Sequence, residues 1–437
     1  MPVSTERQSW VRLLVNGCDG PREALSDYQH RGGYQALRRT IEGGGPEPVI
    51  ELLAAAGLRG RGGANFPTAD KWRMVCAEPG PRYLICNGGE HEPGSRKDIV
   101  LMSLYPHAVL EGVLIAAWTI GAEKAFIYLT EDQDEAIASI ERAIEEERAA
   151  RTVDHGVCDV QCIAGPATYV SGEETAIIGA IEGTEAKPRK KPPYPTVEGL
   201  WGRPTLVNNV ETLANIPPLL LRGADWFRSA GTPASPGSAL VTLSRGVRRP
   251  GVYEVPYGTT MREIIDAYGG GTSDQRPVKA LLPGGPSLPF LGPEHLDTPF
   301  EHAALKEAGS GPGCGAIRVW LEGECMVEAA REIADFFAAE QCGQCPACRM
   351  ETQTFAMALR QLSQGKGGRK SIQQMEKVAD YARGKGLCSL LAMASAPALS
   401  AVRLFESDFV EHIAHGTCGA GASGAVERTI VEGGVGQ

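Results

Sequence analysis

Hydrophobic and polar positions divide this chain into stretches of different period. From Tyr83 to Gly165, short apolar runs (YLIC, KAFIYL, DVQCIAG) alternate with two stretches of helical period at 106–120 and 131–150. Apolar runs too short for helices, joined by helices long enough to cross back, predict a βαβαβ layer of parallel strands. In such a layer, ligands bind in loops at the carboxyl ends of the strands. Residues 238–292 change character: β-like ALVTLS and GVYEVP, a helical MREIIDAYGG and then ALLPGGPS predict a small β-grasp module. From Val327 the period is helical throughout, with helices expected near 327–340, 349–363, 370–383 and 397–413. Further helices are expected at 34–42, at 47–56, and at 207–221 behind a Pro-rich connector, 187–195. The fold class is α/β, with a helical segment at 1–56, an α/β domain at 57–237, the β-grasp module and connector at 238–325, a helical bundle at 326–415 and a tail at 416–437.

Composition narrows the function classes. A net charge of −10 without basic stripes speaks against nucleic-acid binding, and no run of like charge suggests a lipid-binding arm. The longest apolar stretch, 109–120, is broken by Glu111 and Gly112 and is too short to insert across a membrane. The opening MPVSTERQSW lacks the apolar core of a secretory signal, so the twelve cysteines are expected in the reducing cytoplasm, as metal ligands or buried thiols. Fifty-four glycines and thirty prolines fall in loops rather than low-complexity tracts, the mark of a loop-rich binding protein.

Four cysteines carry the strongest chemical signal. Cys342, Cys345 and Cys348 follow one another in EQCGQCPACR, and Cys388 lies far downstream in GKGLCSL. Three thiolates spaced in this way can converge on one centre while a distant fourth closes it, as cubane iron-sulfur clusters allow. Zinc is the competing occupant, although neither a second CxxC nor a histidine pair accompanies the motif. Gly343 and Pro346 keep the intervening backbone out of a regular helix. Cys158, Cys162, Cys314, Cys325 and Cys418 read as structural.

Four loops carry candidate binding groups. GLRGRGGANFPTADKW, 57–72, is rich enough in glycine to expose backbone N–H groups to a phosphate, yet it matches neither common nucleotide motif. CNGGEHEPGSRKD, 86–98, follows an apolar strand and offers Asn87, Glu90 and Glu92. In TYVSGEETAIIGAIEG, 168–183, Ser171 and Glu174 have the spacing of a capping box, which leaves Tyr169 and Glu173 unexplained. RPTLVNNVETLAN, 203–215, sets Asn208 and Asn209 at an expected helix start, where they could cap the helix or hold a phosphate. No triad order or HExxH motif gives hydrolase chemistry a foothold.

These five segments, in this order, resemble the NADH-oxidising FMN and iron-sulfur flavoprotein of respiratory complex I and its relatives in soluble hydrogenases and NAD-dependent formate dehydrogenases, over about residues 34–412. The resemblance implies a Rossmann-like FMN domain, a ubiquitin-like β-grasp (SLBB) module and a four-helix bundle holding one 4Fe-4S cluster on Cys342, Cys345, Cys348 and Cys388. It implies that Gly60, Gly62, Gly63, Lys71, Asn87, Glu90, Gly172, Glu173, Asn208 and Asn209 surround FMN. It places Phe66, Glu92, Tyr169, Glu174, Lys191 and Tyr194 on the NADH side, with Phe66 and Tyr194 against adenine, Glu92 near the nicotinamide carboxamide, and Glu174 facing the ribose, where its charge disfavours a 2′-phosphate. Hydride transfer then needs no protein acid or base, and the residues act by positioning. The implied partners are a thioredoxin-like 2Fe-2S subunit and a larger iron-sulfur subunit, through which the chain would reach the inner face of the cell membrane.

The wording departs from the family at Gly89, where an acid is usual, at Asn65 and Ala69 for glycines, at Met74 for an aromatic, at Ser171 for a cysteine and at Ser389 for a proline. These changes keep a second class open, a non-catalytic electron conduit or assembly subunit that has lost flavin or NADH; a zinc-stabilised interaction protein is a third. Between complex I and a soluble NAD-linked complex the cues divide: the departures favour the latter, while EPGSRKD resembles the complex I wording.

Overall fold

The computed structural model describes residues 12–150 and 158–417; residues 1–11, and Cys418 with the expected tail beyond it, lie outside the described residues. Helices α1 (Leu25–His30), α2 (Gln35–Glu42), α3 (Glu47–Ala56) and α4 (Thr68–Ala77) lead into strand β1 (Arg82–Asn87). Then follow α5 (Lys97–Leu104), α6 (Pro106–Ile120), β2 (Ala122–Thr130), α7 (Asp134–Ala150), β3 (Asp159–Gly165), α8 (Glu174–Ile181) and β4 (Thr205–Asn209). Three helices close the layer: α9 (Val210–Ala214), α10 (Ile216–Arg222) and α11 (Ala224–Arg228).

The four strands lie in the order β3-β2-β1-β4, all parallel. Strand alternation sends Leu84 and Cys86 to one face, against α6 and the amino-terminal helices, and Tyr83 and Ile85 to the other, against Ile177 and Ile178 of α8. Both faces are covered, which is why these strands read as continuous apolar runs. Because β1 sends its chain to β2 on one side and pairs with β4 on the other, a crevice opens at the carboxyl ends of β1 and β4. Asn87 and Asn209 stand in register at that point.

One expectation fails here. The helix expected at 207–221 is a strand, a helix and a second helix, because Thr205–Asn209 pairs with β1 over its whole length. Leu206 and Val207, followed by Val210 and Leu213, carry a helical period by accident of the strand-to-helix junction. The side chain of Asn209 accepts the Glu211 N–H and caps α9.

The β-grasp module is a second sheet, ordered β6-β5-β8-β7, with its own apolar core. Its strands are β5 (Ser238–Arg245), β6 (Gly251–Pro256), β7 (Val278–Leu282) and β8 (Ala316–Leu321), with a short helix α12 (Met261–Glu263) after β6 and α13 (His302–Glu307) before β8. Strand β8, which the pattern did not reveal, is central and fully buried, parallel to β5 and antiparallel to β7.

Helices α14 (Met326–Glu340), α15 (Pro346–Ser363), α16 (Arg369–Ala382) and α17 (Leu390–Leu404) form the bundle around Phe337, Phe355, Leu359 and Leu362. The helix expected at 397–413 is divided at Phe405 into the end of α17 and a fifth helix, α18 (Glu406–His415). No single described helix is long and apolar enough to cross a membrane; α5 and α6 pass such a test only together, and they are bent by 97°.

Candidate functional site

A cavity of about 500 Å3 occupies the crevice beyond β1 and β4, within the usual size of cofactor sites. It brings together nine of the expected residues: Gly62, Gly63, Asn87, Glu90, Glu92, Tyr169, Gly172, Glu173 and Asn209. The glycines form a cradle. Gly63 has φ +99°, a β-carbon on Gly62 would stand 3.2 Å from Asn209, and one on Gly172 would stand 2.6 Å from the Gly89 carbonyl oxygen. Asn65 takes φ +52°, a left-handed conformation that asparagine tolerates, so its replacement of glycine leaves the loop intact. Gly60 lies behind the cavity, closing this loop by donating its N–H to the Phe66 carbonyl at 2.9 Å.

Acids at the cavity wall are held by specific donors. Glu90 accepts the N–H groups of Asp98 and Ile99, both at 3.0 Å, and the hydroxyl of Ser95. Burial and the nearby Asp98 charge push Glu90 up to about 7. Beneath it, the fully buried Lys97 ammonium lies 2.9 Å from both Asp98 and Glu211, and Asp98 in turn accepts the Asn209 amide at 2.6 Å. Burial alone would lower Lys97; the three acids around it, Asp98, Glu211 and Glu90, hold it above its ordinary value.

Toward the surface Glu174 and Lys191, expected on the NADH side, form a second group with Lys71 and Glu173, expected beside FMN. Lys191 lies 2.8 Å from Glu173 and 2.9 Å from Glu174, and Lys71 lies 3.4 Å from Glu174. Burial would raise Glu174, but the two ammoniums hold it below its ordinary value, so it stays ionised. Phe66 and Tyr194 are exposed, with 43% and 56% of their surface free, as is Met74. None of Phe66, Lys71, Glu174, Lys191 and Tyr194 lines the deep cavity.

Two local expectations are corrected. Ser171 does not cap α8: its hydroxyl donates to the carbonyls of Pro166 and Thr168, while Glu173 is the N-cap, accepting from Thr175 and Ala176. Asn208 is buried on β4 and accepts the Trp72 indole N–H at 2.9 Å, a packing role that does not reach the cavity.

Sequence reasoning missed the cavity's other side. Ser287, Leu288, Gly313 and Cys314 come from the β-grasp module, and Cys388, Ser389, Leu390 and Met393 come from the bundle. The runs PGGPS and GPGCG were the available signal, since glycine so placed marks close backbone approach.

Cys342, Cys345, Cys348 and Cys388 line one small pocket with Val170, Leu387 and Leu391. Cys345 is the N-cap residue of α15, Cys348 lies in its first turn, and Cys388 lies just before α17. Burial and the three neighbouring thiols push Cys348 up to about 12, so four thiolates coexist here only around a compensating positive centre. Among the described residues no three Cys, His, Asp or Glu side chains close round a single ion. The Leu387 N–H points at Cys345 sulfur, 3.4 Å away. Val170, Cys388 and Leu390 line both this pocket and the large cavity, so one thickness of side chain separates them.

A glycine-cradled crevice with a four-cysteine pocket against its wall is the arrangement of an oxidoreductase component that sets an organic cofactor beside a metal cluster. Three family descriptions match in order: the Nuo51 FMN-binding domain over 53–218, the SLBB domain over 240–291 and the NADH-ubiquinone oxidoreductase-F iron-sulfur binding region over 328–412. The F subunit of the NADH-quinone oxidoreductase of Mycobacterium tuberculosis is 39% identical over 431 residues, 95% of this chain and 96% of the relative. Its counterpart in Escherichia coli is 37% identical over 395 residues, 88% of each. A crystal structure of an NAD+-reducing [NiFe]-hydrogenase superposes with a TM-score of 0.81 at 33% identity, covering 90% of this chain and 67% of that one. The chain belongs to the family of NADH-quinone oxidoreductase F subunits.

Proposed function

We infer that this chain is an NADH dehydrogenase module, a flavoprotein that uses FMN and one 4Fe-4S cluster. The observation that carries this reading is the shared wall: Cys388 and Leu390 border both the flavin-sized cavity and the cysteine pocket. Bound FMN supplies a centre that takes a hydride as an electron pair and releases electrons singly, and the cluster supplies a one-electron acceptor. The protein's own groups position and exclude. The glycine cradle around Gly62, Gly63 and Gly172 admits a planar ring to backbone contact. Asn87 and Asn209 line the crevice, their amides held by Gly172 and Asp98, and Glu92 faces the nicotinamide end. Phe66 and Tyr194 receive adenine. Glu174 faces the ribose, its charge disfavouring a 2′-phosphate, with Lys71 and Lys191 keeping it ionised.

Relatives of this chain belong to multi-subunit complexes, so electrons pass on to iron-sulfur partners. A thioredoxin-like 2Fe-2S subunit and a larger iron-sulfur subunit are the partners the reading implies, placing the chain on the cytoplasmic side. The conduit alternative is weakened by the open cavity and by Asn65, whose backbone keeps the glycine-like turn. The test is an anaerobic absorbance spectrum of the protein loaded with FMN and iron-sulfide, before and after one equivalent of NADH. Bleaching of the flavin band by NADH, with NADPH far less effective, is expected; iron-sulfur absorbance without flavin retention would return the conduit reading.

A further inference from the structure

The carboxylate of Glu92, at the cavity wall, is held by two other parts of the chain. One oxygen accepts the Ser287 backbone N–H at 2.9 Å, from the turn after β7. The other accepts the Tyr169 hydroxyl at 2.8 Å. Tyr169 is itself fixed by its N–H to Glu340 at 2.8 Å and by edge contacts with Phe336 and Phe337, at the end of α14. Glu92 also lies flat on Gly285: a β-carbon there would stand 2.5 Å from a Glu92 oxygen, and Gly285 has φ +115°. The turn is braced from behind, because Gly284 packs against Pro312 and accepts the Cys314 N–H at 3.3 Å. Gly313 and Cys314 of that brace line the cavity as well.

A carboxylate with both oxygens engaged and its stem against a glycine has one orientation. We propose that the β-grasp module is a working wall of the nicotinamide end of the site, its 285–287 turn acting as a positioning element that fixes the Glu92 carboxylate. The module is then part of the hydride-donor site rather than a spacer between flavin domain and bundle. The proposal rests on the reading that nicotinamide reaches Glu92.

Two variants of the full chain, loaded with FMN and cluster, test it. Gly285→Ala pushes on Glu92, and Ser287→Pro removes both the N–H and the hydroxyl of Ser287 that face it. Flavin bleaching by saturating NADH is expected to slow about tenfold in each, the cost of a misplaced donor. Calorimetric affinity for ADP-ribose, which has the adenosine end and no nicotinamide, is expected to stay within about twofold of wild type. ADP-ribose binding that weakens in step with bleaching would reduce the turn to a structural brace, and unchanged bleaching in both variants would remove its role. A wild-type protein whose flavin NADH does not bleach defeats the underlying reading instead, and that outcome is visible before any variant is made.

Discussion

Gly172 faces the Gly89 carbonyl so closely that a single added β-carbon would stand 2.6 Å from its oxygen. The two residues come from separate loops, one after β1 and one before α8, and together they make one side of the cavity. Gly172→Ala must therefore spread these loops. Flavin affinity is expected to fall about tenfold or more, roughly 1.4 kcal/mol, while the cluster is retained. Fluorescence titration of FMN into stripped protein measures it; wild-type affinity would show that the loops separate freely.

Replacing Cys345 by serine separates the two centres. The cluster would lose a proposed ligand that stands at the N-cap position of α15 and receives the Leu387 N–H. The visible iron-sulfur absorbance is expected to disappear while NADH still bleaches bound flavin, since the cradle residues lie on other elements. Loss of both signals together would mean that the bundle wall at Cys388 and Leu390 shapes the cavity more than the loops do.

Glu90 supplies a pH dependence with a definite sign. Its folded value is pushed up to about 7, above the ordinary 4.5, by burial first and then by Asp98. The folded protein therefore holds a proton that the unfolded chain releases between those values, and the stability this contributes is present below pH 4.5 and lost as pH rises through about 7. Thermal unfolding of the flavin-free protein between pH 5 and 8 is expected to decline less steeply in Glu90→Gln than in wild type. Parallel slopes would assign the proton elsewhere.

Lys97 neutralises Asp98 and Glu211 where water does not reach. Lys97→Met leaves two buried acids without their cation and is expected to cost about 3–5 kcal/mol of stability. It should also remove the Lys97 bond to the Asn209 amide oxygen, 3.4 Å long, and so loosen Asn209 at the cavity and weaken FMN binding. A loss under about 1 kcal/mol in denaturant unfolding would contradict the assignment of Lys97 as the buried counter-ion.

Glu174→Gln removes the charge proposed to face the ribose and leaves Lys71 without this partner, while Lys191 keeps its ion pair with Glu173. The advantage of NADH over NADPH in flavin bleaching is expected to narrow by about tenfold, as the lost carboxylate no longer repels an added phosphate and the Lys71 ammonium is left to attract it. An unchanged ratio would move specificity to another residue.

What the sequence determined by itself is what local pattern can encode. The continuous apolar runs of β1, β2 and β3, the helical periods of the bundle, and the spacing of Cys342, Cys345 and Cys348 each depend on residues close in the chain, so strands, helices and a thiol cluster were legible there. The loops around Asn87 and Gly62 were legible for the same reason, because a turn's chemistry is written in its own glycines and amides. Tertiary structure decided everything that depends on distant segments meeting. Thr205–Asn209 became a strand only because β1 offered it an edge, and Ala316–Leu321 became the central β-grasp strand only between β5 and β7. Asn208 and Gly60, indistinguishable in sequence from cavity residues, do not line the cavity; Asn208 accepts the Trp72 indole N–H and Gly60 donates its N–H to Phe66. Ser287, Gly285 and Cys388 came to the site from domains that share no local pattern with it. A hydrogen bond between residues 195 positions apart, such as that from Ser287 to Glu92, leaves no periodic trace in the chain; only the packed domains place its donor and acceptor together.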